Sequence, residues 1–173
     1  MTVASLHDLL VDELKDLFSA EHQLFKALPR MARAAHNPEL RTAFEKHLQE
    51  THGHAQRLEQ ICDSLDARPR GKKCVAMEGL IEEGKELLEE GGPVQVLDAG
   101  LIGAAQKVEH YEMAAYGTAR AHAQLLGYRG VVDLLQQTLD EESAANDKLS
   151  QIAESTVNLQ AVRSGNGQRQ GAS

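Results

Sequence analysis

Acidic residues interrupt the apolar faces of two predicted helices, at positions where a helical bundle normally buries leucine. Glu142 lies in this way between Leu139 and Leu149, and near the N-terminus the three- and four-residue steps run through Leu14, Leu17, Glu21, Leu24 and Leu28. An ionised carboxylate on such a face costs several kcal/mol unless it is paired, protonated or bound to a cation. Carboxylates that meet from several helices would therefore form a metal site.

A polar belt also crosses the stripe of the next helix, which reads Leu40, Phe44, His47, Thr51, His54, Leu58, Ile61 and Leu65. The stripe is apolar at both ends and polar across its middle turns, with Glu50 beside the two histidines. Further along, Glu109 and Glu112 are three residues apart and share one helical face. Carboxylate oxygens with one or two imidazoles suit iron or manganese, whereas zinc sites favour cysteine and histidine.

Four long helical patterns must position these residues. The first covers 5–35 and contains Pro29, which should kink it, and the second begins at the Asn37-Pro38 capping pair and ends near 65. A short helix at 75–90 follows, and the last two long helices cover 94–126, closed by Gly127, and 129–162. The two short turns predict antiparallel hairpins and the long connection predicts a crossover. The expected fold is therefore an all-α, ferritin-like four-helix bundle with a short extra helix in the crossover.

The turn positions predict that the carboxylates lie at one height in the bundle. The midpoint between Glu21 and Glu50 falls at the first turn, so these two side chains should face each other. The midpoint between Glu112 and Glu142 falls at the second turn, and Glu109 with Glu112 straddles the height of Glu142. A single glutamate on an apolar face is usually a boundary residue that reaches solvent. Agreement across two hairpins instead favours one cluster of all five carboxylates.

The histidines divide into one ligand candidate and several supporting residues. His54 lies one turn from Glu50 and is a candidate nitrogen ligand, whereas His47 is interpreted as packing or as support for a ligand. His22 and His110 each follow a core glutamate by one residue, about 100° around the helix, and are not expected to bind metal. The acidic run at 82–90 is interpreted as the solvated face of the short helix.

The composition limits the classes of function. The 173 residues are 42% hydrophobic and 25% charged, which predicts one soluble domain over 1–162 and a disordered Gly- and Ser-rich tail over 163–173. The net charge of -8 argues against nucleic acid, and no apolar run reaches the ~20 residues that span a bilayer. No signal peptide is visible, so the cytoplasm is the expected location. Cys62 and Cys74 are expected to be reduced and structural.

Several segments together resemble a known family. They are Ser19-Ala20-Glu21 with Gln23-Leu24, Ala27-Leu28-Pro29, and the stretches 74–81 and 104–112. Over about 6–159 the chain resembles the YciF family of ferritin-like bacterial stress proteins, relatives of rubrerythrin. The resemblance implies two iron or manganese ions, with iron favoured. By position, it implies these ligands: Glu21, Glu50, Glu109, Glu112 and Glu142.

The usual ferritin-like Glu-x-x-His pattern is broken in this chain. Gly53 and Ala145 stand where histidines are expected, and His54 and Asn146 each follow one residue later. The expected site is therefore dominated by carboxylates, with His54 as an optional nitrogen donor.

Two functions are consistent with these residues. In the first, a di-metal protein consumes peroxide or oxygen, or oxidises ferrous iron, in the stress response. It would act as a peroxidase-, catalase- or ferroxidase-like oxidoreductase, with Tyr111 or Tyr116 as an electron donor or as ordinary core residues. In the second, a helical assembly protein uses its polar core to fix register, and metal is structural or absent. The expected partners are metal ions and small oxidants, and the expected assembly is a homodimer.

Overall fold

The computed structural model describes residues 3–170, which form helices joined by short loops. The four long helices are α1 (Leu6–Ala34), α2 (Pro38–Ser64), α4 (Val94–Leu125) and α5 (Arg129–Ile152), and the shorter α3 covers Val75–Glu90. A π-helical turn at Ala153–Val157 leads from α5 into α6 (Asn158–Gln170). The predicted all-α class is confirmed. Along residues 3–170, no helix is both long and apolar enough to cross a membrane.

The four long helices form two hairpins that pack together. Helix α1 packs most extensively against α2, and α4 against α5, while α1–α4 and α2–α5 contacts close the bundle. Helix α3 lies in the connection between the hairpins and packs on α4 and α1. This arrangement is the ferritin-like bundle with a crossover that the spacing of the turns predicts.

Side-chain caps fix the N-terminal ends of both helices in the first hairpin, one of them at the predicted Asn37. Ser5 Oγ accepts a 3.0 Å hydrogen bond from the backbone N–H of Asp8 and donates to its carboxylate at 2.8 Å. The side-chain oxygen of Asn37 accepts from the backbone N–H groups of Glu39 and Leu40, at 2.9 and 3.1 Å. These bonds satisfy N–H groups that have no partner within their own helix.

A buried aspartate on α4 fastens the α1–α2 turn to the second hairpin. The carboxylate of Asp98 accepts hydrogen bonds from the backbone N–H groups of His36 and Asn37, at 2.9 and 2.8 Å. Asp98 is only 3% exposed, so these bonds have little competition from water. The contact fixes the relative height of the hairpins, and hence of the residues each carries at mid-bundle.

Gly127 makes the turn of the second hairpin. Its φ of 77° lies in the left-handed region that residues with a β-carbon rarely adopt. The backbone N–H of Tyr128 donates to the carbonyl of Ala123 at 3.0 Å, and that of Gly127 donates to Gln124 at 3.1 Å. This hydrogen-bond pattern closes α4 at the predicted C-terminal glycine.

The path of the last predicted helix differs from the prediction. Helix α1 contains Pro29 within a single element, as its predicted range does, whereas the helix predicted over 129–162 is divided by the π-helical turn. Helix α6 then reaches Gln170, into the segment 163–173 for which the sequence predicts disorder; residues 171–173 lie outside the described part. Val157 is buried at the π-helical turn and anchors the start of α6, and a helix that has formed elongates at little cost per residue.

Two apolar clusters fill the bundle on either side of a polar layer. One cluster includes Leu24, Leu28, Phe44, Leu101 and Ile152. The other includes Leu10, Leu17, Leu58, Ala119 and Leu135. Cys74 belongs to the first cluster and Cys62 to the second, both buried and unbridged, and burial raises the pKa of the Cys62 thiol to about 11.

Candidate metal centre

Seven polar side chains fill the layer between the two apolar clusters, and we call this set the polar belt. Helix α1 contributes one, α2 three, α4 two and α5 one. No member is more than 6% exposed. The members are Glu21, His47, Thr51, His54, Glu109, Glu112 and Glu142. A dry bundle core would fill this layer with leucine, so the belt indicates a site.

Four members of the belt form a first group of potential metal ligands. His47, Glu109, Glu112 and Glu142 each offer one ligand atom, and these atoms all lie within 4.8 Å of one another. Nε2 of His47 is 3.5 Å from Oε1 of Glu109 and 3.8 Å from Oε2 of Glu142. Glu109 and Glu112 reach the same point because residues three apart on a helix share a face.

A second group lies beside the first and shares Glu142 with it. Glu21, His54 and Glu142 also offer ligand atoms within 4.8 Å of one another. Nδ1 of His54 is 2.9 Å from Oε1 of Glu142 and 3.4 Å from Oε1 of Glu21. Oε1 of Glu142 thus faces the second group, while Oε2 faces His47 in the first. A carboxylate placed in this way can bridge two cations.

The donor atoms of both groups fit a metal better than they fit one another. Nδ1 of His54 and both oxygens of Glu142 are buried without an aligned hydrogen bond, although Nδ1 and Oε1 are only 2.9 Å apart. The two oxygens of Glu112 and both ring nitrogens of His47 are similarly unsatisfied. Neighbouring ligands of a cation at about 2.1 Å are themselves about 3 Å apart. Buried groups left without partners are costly, so cation binding would relieve a penalty built into this core.

The charges of the belt match two divalent cations. Glu21, Glu109, Glu112 and Glu142 carry four negative charges when ionised, and each group adds one imidazole. Oxygen donors with a single nitrogen are typical of iron and manganese sites. No cysteine belongs to either group, and the donor set therefore disfavours a zinc site of the structural type.

Without a cation, protons would have to balance these charges. Burial raises the pKa values of Glu109 and Glu112 well above their usual range. Burial works against a charged His47, yet Glu109, Glu50 and Glu142 outweigh it and raise its pKa to about 9. For His54 the same opposition is outweighed by Glu142 and Glu21, and its pKa rises to about 11. Metal ions would have to displace these protons.

A layer outside the belt orients His54. Nε2 of His54 lies 2.9 Å from Oε2 of Glu141, and Arg57 holds both oxygens of Glu141 at 2.8 Å. Arg57 also donates to Oγ1 of Thr138 at 2.8 Å. A carboxylate only accepts, so Nε2 carries the proton and Nδ1 is turned toward Glu142. Such a carboxylate behind an imidazole is common at metal sites, where it fixes the ring and its tautomer.

Tyr116 closes the other side of the second group. Its hydroxyl donates to Oε1 of Glu21 at 2.5 Å, and its ring lies edge-on to His54 with centroids 6.4 Å apart. Burial and the nearby Glu21 raise the pKa of Tyr116 well above its usual range, which keeps the hydroxyl protonated as a donor. The other tyrosine considered as an electron donor, Tyr111, instead donates to Asp16 at 2.6 Å, outside both groups.

The structure brings five of the six predicted site residues together. Those five are Glu21, His54, Glu109, Glu112 and Glu142. His22 and His110 hydrogen-bond the carbonyls of Phe18 and Gln106, four residues earlier in their own helices, and belong to neither group. Asn146 is also outside both groups and accepts from Gln106 at 3.4 Å.

Glu50 and His47 have the opposite roles to those expected from the sequence: His47 belongs to a group of potential ligands and Glu50 does not. Glu50 lies outside both groups with its side chain 22% exposed, where it pairs with Lys46 and approaches His47 Nδ1 at 3.6 Å. The nearby His47 ring, followed by the ammonium of Lys46, lowers the pKa of Glu50 to about 2. On a helix, His47 and His54 point within about 20° of each other, but Glu50 is rotated about 60° from His47. In the sequence, the signal for His47 as a ligand is its position in the buried stripe of α2.

Comparison with known proteins places the chain in a family. The family described as domain of unknown function DUF892 matches residues 5–162. Protein YciF of Escherichia coli K12 is 47% identical over 162 residues, which cover 93% of this chain and 98% of that protein.

Solved structures agree with the sequence comparison. The crystal structure of the E. coli stress protein YciF matches with a TM-score of 0.86, covering 90% of this chain and 98% of that one. YcfI from Rhodopseudomonas palustris matches with a TM-score of 0.83 at 42% identity, covering 86% of this chain and 94% of that one. A Xanthomonas campestris protein at 20% identity shares the fold, with a TM-score of 0.72, and covers 93% of this chain and 99% of its own. The chain therefore belongs to the DUF892 family, and the resemblance to YciF found in its sequence is confirmed.

Proposed function

We propose that this protein holds two iron or manganese ions and uses them on peroxide, oxygen or ferrous iron during stress. The observation that supports this most is Glu142, whose two oxygens face two separate groups of buried ligand atoms. A single structural ion would need only one such group. The relationship to a protein described as a stress protein supports the physiological part of the proposal.

The donor set supports a redox-active ion. Each position offers oxygen ligands and one imidazole, which iron and manganese both accept. Iron is the favoured ion of the two, following the resemblance to ferritin-like proteins. When bound, two such ions supply the two electrons that reduce one hydrogen peroxide to two waters.

The residues of the chain would prepare that chemistry in three ways. Glu142 would hold the two positions together, while Glu141 keeps Nδ1 of His54 turned toward the second one. The two apolar clusters exclude bulk water from both ends of the polar belt. Tyr116 holds a proton against Glu21 at one edge of the site. Each of these roles can be tested on single variants.

Metal titration followed by oxidation tests the proposal. Ferrous iron is added without oxygen to protein stripped by chelator, the bound metal is counted, and peroxide or air is then admitted while near-ultraviolet absorbance is followed. We expect close to two ions per chain and oxidation faster than in protein-free solution. Glu142→Ala should lose binding, whereas Glu45→Ala, an exposed change on α2, should not. Fewer than about 0.3 ion per chain would exclude the di-metal function, which needs two.

A second function, that of a non-catalytic assembly protein, is favoured by the contacts of the belt itself. His54 is surrounded by the carboxylates of Glu21, Glu141 and Glu142 within 3.4 Å, so an imidazolium there has counter-charges without any metal. Buried polar groups of this kind can fix the register of a bundle. For that function, chelator would leave the melting temperature unchanged, whereas a protein whose cations are part of its fold would melt lower.

A further inference from the structure

A small surface cleft between α2 and α5 ends at the metal centre. Its volume is about 40 Å³. His47 and Glu109 form its inner end, Ala145 lies on its wall, and Lys46, Glu50 and Lys148 surround its mouth. His47 and Glu109 are almost fully buried, whereas both lysines are exposed, so the cleft joins solvent to the first ligand group.

The cleft reaches only one of the two ligand groups. Among the residues that line it, His47 and Glu109 belong to the first group, while Glu21 and His54 do not line it. The second group is closed by the hydroxyl of Tyr116 on Glu21 and by Glu141 behind His54. A solute that enters between α2 and α5 therefore meets the position beside His47 first.

The size of the cleft restricts what can enter. One water needs about 10–15 Å³ measured in this way, so 40 Å³ holds about three waters. Hydrogen peroxide, with two heavy atoms, fits this space. A tertiary alkyl hydroperoxide adds a branched carbon group of four further heavy atoms and exceeds this space.

The charges at the mouth favour a neutral solute. Lys46 pairs with Glu50 at 2.5 Å, and Lys148 lies 3.9 Å from a carboxylate oxygen of Glu39. Each lysine at the mouth therefore has a carboxylate near it, and neither sign of ion is selected. At the inner end, Nε2 of His47 faces the carboxylates of the first ligand group, while Nδ1 has no hydrogen-bond partner in the described part of the chain. Nδ1 can therefore bond to a small polar solute that arrives there.

We propose that the α2–α5 cleft is a binding and access site for hydrogen peroxide, which it delivers to the position beside His47 and Glu109. This inference rests on the proposed function, because peroxide needs a reductant at the end of the cleft. Each hydrogen peroxide accepts two electrons, one from each of two ferrous ions, and two protons. Its O–O bond breaks, and two waters and two ferric ions result.

The first test narrows the cleft without touching a ligand. Ala145→Leu fills part of the wall, and Ala115→Leu makes the same change at another half-buried alanine, in the groove beside α1. Ferrous-loaded proteins are mixed with hydrogen peroxide or tert-butyl hydroperoxide, and iron content is measured in each sample. Ala145→Leu should slow oxidation by hydrogen peroxide about tenfold at unchanged iron content, while Ala115→Leu should not. Wild type should strongly prefer hydrogen peroxide, and Lys46→Ala, which widens the mouth, should reduce that preference.

The second test needs no metal. Exchange of the His47 ring Cε1 hydrogen with deuterated water is followed by mass spectrometry in the stripped proteins. We expect His47 to exchange faster than the enclosed His54, and Ala145→Leu to slow exchange at His47 alone. If wild type and Ala145→Leu both load fully with iron and are oxidised by peroxide at equal rates, the cleft is not the route of peroxide entry. The proposed function would remain intact. Absence of iron binding in wild type would overturn both, whatever the exchange rates.

Discussion

Nδ1 of His54 lies 2.9 Å from Oε1 of Glu142, yet the two atoms do not form an aligned hydrogen bond. The other oxygen of Glu142 faces His47, whose ring centre is 6.2 Å from that of His54. One buried carboxylate therefore contacts both imidazoles of the polar belt. This geometry leaves buried polar atoms without hydrogen bonds, whereas two metal ions would give the same atoms partners.

The metal-free protein should lose stability as pH rises from about 6.5 to about 9. The pKa values of His47 and His54 are raised from 6.5 to about 9 and about 11, so their stabilising contribution is complete below 6.5 and is lost above it. Glu109 and Glu112, whose pKa values are also raised, act in the same direction because the folded core prefers their protonated forms. The expected loss in free energy of unfolding is about 1–3 kcal/mol.

Urea unfolding with chelator at three pH values in that range measures this loss. The pKa of Glu50 is lowered from 4.5 to about 2, so its contribution to stability is lost only as the pH falls below 4.5. It does not change between pH 6.5 and 9. His47→Gln should flatten the pH dependence. If the free energy of unfolding instead rises with pH in chelator, protonation of the polar belt does not stabilise the metal-free protein.

Replacing Glu141 by glutamine should weaken metal binding without removing a ligand. Glutamine can offer its amide nitrogen to His54 and no longer forms the charged pair with Arg57, so the ring loses its fixed orientation. Changes of this kind cost about 10–100-fold in metal affinity. Competition with a coloured chelator measures the affinity, and Asp140→Asn, an exposed neighbour on α5, is the matched control. Equal affinities in the two variants would show that Glu141 does not orient His54 for metal binding.

Removing the Tyr116 hydroxyl should destabilise the metal-free protein. Tyr116→Phe deletes the donor to Oε1 of Glu21, and both residues are fully buried. Hydrogen bonds to charged groups contribute about 1.5–3 kcal/mol, so unfolding should become easier by about that amount. Tyr128→Phe removes a half-buried hydroxyl next to His7 and should cost less. Equal effects in thermal unfolding would indicate that the contact with Glu21 contributes nothing specific.

Asp98→Ala should destabilise the bundle more than Asp98→Asn. Alanine leaves the backbone N–H groups of His36 and Asn37 without an acceptor, and each unsatisfied group costs about 1–3 kcal/mol. Asparagine keeps one oxygen and should recover part of the loss. Urea unfolding of the three proteins gives the order, and metal content of the folded protein should stay at the wild-type level. An alanine variant as stable as wild type would contradict the role assigned to Asp98.

The sequence predicts most of the fold because residues that begin and end helices mark its turns clearly. Asn37 and Gly127 mark the two hairpin turns, and the structure uses both as caps. The height of the carboxylates also follows from those turns. The direction in which each side chain points around its helix does not follow from the turns, because the midpoint between two residues fixes only their height along the bundle. For that reason the midpoint rule favours Glu50 over His47 as a ligand, although the buried stripe through His47, Thr51 and His54 contains the angular information.

Other features depend on contacts that a single sequence does not reveal. The π-helical turn at Ala153–Val157 has no marker residue, since an alanine and valine pair four residues apart fits an ordinary helix equally well. Glu141 reads as a surface neighbour of Glu142, and its role appears only when Arg57 and His54 on α2 come within 2.9 Å. The division of the belt into two groups likewise depends on side-chain directions.

The most direct measurement is anomalous diffraction from crystals of the protein loaded with iron or manganese, collected at the absorption edge of the added metal. We expect two peaks in the polar belt, one beside His47 and one beside His54, with the carboxylate of Glu142 contacting both. A belt without peaks at saturating metal, or with one peak that Glu142 does not touch, would rule out a di-metal site.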